Sequence, residues 1–173
     1  MARATGYFQI IPRGRRAMPI LRTIRRSSSR FKAAVAARDT VRMESTSARA
    51  WTALASLFEI LRNAQDEGIL DAAYMNVPSG FMVDRVGEQE QAEMVAAARI
   101  VRSHANYRSI SLREALNKIA HFQNAASTYR IDGRRAHYLI LGGTHGSRRW
   151  IAEILLSKLC QESSRAARSI TRP

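Results

Sequence analysis

Apolar positions change their period along the chain, and each change marks an element. In "ARAWTALASLFEILRNAQDEG", Trp51, Leu54, Ala55, Phe58 and Leu61 recur at i, i+3 and i+4, which predicts an amphipathic helix stopping near Gly68. The next stretch, "AYMNVPSGFMVDRVG", is broken by Pro78, Gly80 and Gly87 and reads as a loop. A second helix is predicted over 88–105. Glu88, Glu90 and Glu93 lie in its first turns and Arg99 and Arg102 near its end, an order that suits the helix dipole. A third begins at "SLREALNKIAHF", where Ser111 and Glu114 have the spacing of a capping box. Behind that cap, Leu112, Ala115, Leu116, Ile119 and Ala120 fall within a sector of roughly 140° at about 100° per residue.

After Asn124 the period shortens. "STYRIDGRRAHYLILGG" contains two β-prone runs around the turn pair Asp132-Gly133, and "GGTHGSRR" reads as a second turn. In "WIAEILLSKLC", Trp150, Ile154 and Leu155 fit a third strand or a helix equally well, and the tail "QESSRAARSI" has helical propensity. These signals predict a mainly α fold of the α+β kind: a three- to four-helix bundle with a small C-terminal antiparallel β-hairpin or meander. One domain is expected over 44–173.

Composition narrows the classes. With 173 residues, 46% hydrophobic and 24% charged, the chain is long enough for a real core and ordinary for a soluble globular protein. No apolar run approaches the roughly 18 residues of a membrane span. Cys160 is the single cysteine, so no intrachain disulfide or thiolate cluster can form, and its neighbours Leu155, Leu156 and Leu159 mark it as a small buried hydrophobe. His104, His121, His137 and His145 form no close helical pair and no HExxH, so no metal and no cofactor are expected. "LGGTHGSRR" lacks the spacing of a phosphate loop.

Charge is the strongest global feature, at +14, and it is uneven. Residues 1–43 hold 11 of the 28 Lys and Arg against one acid, Asp39, and so carry +10; residues 44–173 carry +4. With Pro12, Pro19 and a serine run at 27–29, this segment is expected to be a disordered basic leader. Three origins compete for it: an extension ahead of a start at Met18 or Met43, an organelle transit peptide, or an arm that lies on nucleic acid. The expected location is cytoplasmic, with organelle import as the alternative.

Candidate chemistry gathers on the third helix, where Arg113, Asn117 and His121 form a polar row four residues apart. A histidine near its ordinary pKa of about 6.5 is a natural metal-free acid/base for RNA cleavage, because the 2′-hydroxyl is the internal nucleophile. Arg113 or Lys118 would supply a cation for the phosphate and Asn117 would orient the ring. Lys118, Arg148 and Arg149 are the candidate RNA contacts.

An Arg-to-His polar motif on a helix resembles the HEPN superfamily (higher eukaryotes and prokaryotes nucleotide-binding). Many of its members are metal-independent RNases of toxin or antiphage systems that act across a homodimer. Seven residues separate Arg113 from His121, where that superfamily has four to six. Over 111–160, "SLREALNKIAH", "YLILGG" and "RRWIAEILLSKLC" are similar to a group of uncharacterised bacterial proteins with such a helix, a glycine turn and a Trp-containing strand. The function these resemblances imply is a metal-independent, RNA-directed ribonuclease or toxin. The alternatives are a non-catalytic nucleic-acid-binding or protein-interaction domain, and a purely structural role in which Asn117 and His121 fasten their helix to the hairpin through backbone hydrogen bonds.

Overall fold

A computed structural model describes residues 13–170. Its first element, α1 (Arg13–Ala37), lies inside the expected disordered leader. Ala17, Leu21, Ile24, Phe31 and Ala34 are all buried, together with Ser27, at steps of three and four. They form one helical stripe, and Arg15, Arg16, Arg22, Arg25, Arg26 and Arg30 stand outside it. Residues 13–37 of that segment are helical, and residues 1–12 lie outside the described residues. High charge density hid a stripe that is short in bulk but regular in period.

Asp39 caps α2 (Thr40–Asp66) by accepting the Arg42 N–H at 3.0 Å. The expected boundary at residue 43 thus falls inside a helix. α2 buries Ala53, Leu54, Leu57, Leu61 and Ala64, while Ala55 is exposed. It ends as predicted at Gly68, whose φ of +73° turns the chain so that Ile69 N–H reaches Ala64 C=O at 2.9 Å. A short α3 (Ala72–Met75) follows.

The stretch expected to be a loop is instead β1 (Pro78–Val86), a strand paired on both sides. With β2 (Tyr107–Ser111), β3 (Ser127–Ile131), β4 (His137–His145) and β5 (Arg148–Leu155) it forms a sheet of order β2-β1-β5-β4-β3, antiparallel throughout. The mainly α bundle with a hairpin or meander is accordingly corrected to an α+β fold built on a five-stranded antiparallel sheet. Pro78 is tolerated because it opens the strand, and β1 buries residues on both faces, so it lacks clean alternation. Both predicted turns lie where strands reverse, between Ile131 and His137 and between His145 and Arg148.

α4 (Glu88–Ala96) is shorter than the helix expected over 88–105. It stops so that Ile100 can enter a small core with Val83, Val86, Met94, Ile140 and Ile151 on one face of the sheet. The other face carries the main core under α1, α2, α5 (Leu112–His121) and α6 (Leu156–Ile170). The ambiguous stretch 150–160 is both things: β5 to Leu155, then α6 with no intervening loop.

Candidate functional site

The capping box predicted at Ser111 is present. Glu114 N–H donates to Ser111 Oγ at 3.2 Å, and Ser111 N–H donates to Glu114 Oε2 at 2.9 Å. Arg108 Nη2 adds a 2.7 Å bond to Glu114 Oε1. Partial burial works to raise the Glu114 pKa, but Arg108 and the Ser111 bonds outweigh it and hold the carboxyl below its ordinary value. Leu112, Ala115, Leu116 and Ile119 are buried, whereas Ala120, expected in the same stripe, is exposed.

The polar row faces a matching row on α2. Arg113 Nη2 lies 3.4 Å from Asp66 Oδ1, and the His121 ring meets Phe58 edge-on at 6.4 Å. Arg62, midway between Phe58 and Asp66, pairs with Asp66 at 3.4 Å and covers the Phe58 ring at 5.5 Å. Residues 58, 62 and 66 thus run along 121, 117 and 113 as a helix–helix seam. Eight steps along α5 separate Arg113 from His121 by about 12 Å of axial rise, so the seam does not bring them together. Asn117 is half-buried and has no hydrogen-bond partner among the described residues. The fastening of α5 to the hairpin falls to Gln123, whose N–H donates to Gly142 C=O at 2.9 Å and whose Nε2 reaches Thr144 Oγ1 at 3.4 Å.

The candidate RNA contacts are also distributed. Lys118 Nζ sits 4.1 Å from the centre of the Trp150 ring, and burial pushes its pKa down against the opposing pull of Asp84. The same ring lies against Gly143, where an added Cβ would come within 2.4 Å of it. Lys118 is therefore part of a stack. Arg149 Nη2 holds Glu88 at 2.8 Å. Arg148 is exposed opposite His145 at the hairpin tip, its side chain making no ion pair or hydrogen bond among the described residues.

The larger cationic surface lies in the segment expected to be disordered. Arg22, Arg26 and Arg30 stand four residues apart on the exposed side of α1, and their side chains make no ion pair or hydrogen bond among the described residues. Arg25 differs, donating to Cys160 C=O at 3.2 Å and Ser164 Oγ at 2.9 Å. Arg30 also joins Arg42 and Arg49 in an open cleft between α1 and α2. The Arg spacing on α1 was visible in the sequence, but only the buried stripe beneath it shows which arginines face outward.

Among the described residues, no group of three or more His, Cys, Asp or Glu could hold a metal ion, and no helix is long and apolar enough to cross a membrane. Cys160 is 1% exposed, and burial pushes its thiol up to about 11 despite Arg25, so it is a poor nucleophile. Fold and site together define a class: an antiparallel α+β domain whose N-terminal helical hairpin turns an arginine face outward. Beyond that class, no family model, curated protein or solved structure matches the chain.

Proposed function

We propose that the protein is a non-catalytic nucleic-acid-binding protein that holds a phosphate backbone on the outer face of α1. The observation that carries this reading is the comb of Arg22, Arg26 and Arg30, exposed and without ion-pair partners among the described residues. Steps of four residues advance about 6 Å each, so the three guanidinium groups are spread along some 12 Å of helix. Guanidinium is the cation best matched to phosphate, since its fork can donate two hydrogen bonds at once. α1 carries no acid to neutralise the comb, and the chain beyond residue 43 is only mildly basic, so the field is one-sided.

RNA cleavage by Arg113, Asn117 and His121 is the weaker reading, because Asp66 occupies Arg113 and the helix holds the two ends of the row apart. One pair of measurements separates them. With single-stranded RNA, changing Arg22, Arg26 and Arg30 together to Gln should flatten the log–log salt dependence of affinity by about 2, while Arg113→Gln leaves it unchanged. A wild-type slope in the triple variant sinks the binding reading. In EDTA the RNA should stay intact; cleavage lost in both Arg113→Ala and His121→Ala would establish the ribonuclease instead.

A further inference from the structure

We propose that the partly open cavity lined by α1, α2, β3 and β4 binds one small, uncharged planar ring bearing hydrogen-bonding groups. It lies on the side of α1 away from the arginine comb, and it is independent of nucleic-acid binding. Its volume is about 190 Å3. An apolar cavity of about 150 Å3 accepts benzene, so a single substituted ring fits here, whereas pockets for drug-sized ligands start near 300 Å3.

The walls are of two kinds. Phe31, Trp51 and Tyr129 present aromatic surface to the cavity. Phe31 is braced in advance, edge-on by Tyr129 at 4.7 Å and face-on by His137 at 5.2 Å, so little ordering remains to be done on binding. The polar part comes from Ser27, Ser28, Thr46, Ser47, Ser127 and Thr128. Ser27 lines it from α1, and its hydroxyl makes no hydrogen bond among the described residues. That hydroxyl is available to donate to or accept from a ligand in the cavity.

Charge decides the ligand class. No Asp, Glu, Lys or Arg lines the cavity. His137 keeps its ring neutral: Nδ1 is 2.9 Å from Ser28 Oγ, and burial with nearby Lys32 pushes its pKa down to about 4. A charged ligand would lose its hydration and find no counter-charge, while an uncharged ring would not.

The test titrates the full chain with phenol, uracil and benzoate, following tryptophan fluorescence and the thermal midpoint. Phenol or uracil should give a saturable signal and raise the midpoint, with benzoate at least about tenfold weaker. The fluorescence change should disappear in Trp51→Phe, which leaves Trp150 as the remaining indole. Ser27→Ala should weaken binding by about fivefold, and Ala50→Leu, which fills the cavity from α2, should abolish it while circular dichroism is unchanged. No saturable signal from either neutral ring (a cavity holding water only) overturns the proposal. So does benzoate binding as tightly as phenol, or unchanged binding in both Ser27→Ala and Ala50→Leu.

Discussion

His137 is 9% exposed, stacked on Phe31, with Ser28 at its Nδ1. Its folded pKa of about 4 lies below the ordinary 6.5, so the unfolded chain takes up the proton first as pH falls. The resulting stability is fully present above pH 6.5 and is lost between there and about pH 4, with an upper bound near 3 kcal/mol. Urea titrations across that range should show a shallower acid decline in His137→Gln than in the wild type, and parallel curves would refute the coupling. Cys160 gives a second reading at this scale: a thiol reagent at pH 8 should label it only after denaturant is added, since burial raises its pKa to about 11. Single residues were legible where their partners are close in sequence. Ser111 and Glu114 cap each other across three positions, and Cys160 sits among its own leucines. Arg113 was visible, but its partner Asp66 lies on another helix.

At the scale of elements, contacts with the sheet hold α5 and α4 in place. Gly143 faces Trp150 across the β4–β5 ladder, and the ring lies where a Cβ would go. Gly143→Ala should cost about 1–3 kcal/mol by overpacking. In a Trp150→Leu background most of that cost should vanish, and a double-mutant cycle in urea measures the difference. On the opposite face, Glu153 is 3% exposed and held by Arg130 at 3.0 Å, which also donates to Ala98 C=O at 2.9 Å. Arg130→Ala leaves that carboxylate poorly compensated and should cost roughly 3 kcal/mol. Arg113→Ala, at an exposed pair, should cost no more than about 1 kcal/mol. Similar losses at the two sites would contradict this ranking. The later part of α2, α5 and the turns around Asp132 and Gly146 were predictable because their hydrogen bonds close locally. β1 was not, because it pairs with a strand some 70 residues away, as in Phe81 with Glu153.

For the whole molecule, α1 is the deciding piece. Leu21 and Ile24 are fully buried, and Arg25 ties the helix to α6 through Cys160 and Ser164. A chain lacking residues 1–37 should therefore lose cooperative thermal unfolding and aggregate, because it exposes the α2 and α6 faces that α1 covers. A soluble, cooperatively unfolding product would show that α1 is dispensable. Such an outcome would return the arginine comb to the status of a detachable arm.

By itself the sequence determined the later part of α2 and its stop at Gly68, the extent of α5, the cap at Ser111, the two late turns, the burial of Cys160 and the concentration of charge before residue 44. Each rests on a period or a contact that spans a few residues. Only the tertiary structure decided that residues 13–37 form a helix with a buried stripe, that "PSGFMVDRV" is a strand, and that the Arg113 row is a seam. Those outcomes depend on which surfaces meet across long stretches of chain. A stripe of apolar side chains becomes a core, and an arginine becomes free or paired, only when folding brings the opposite surface to it.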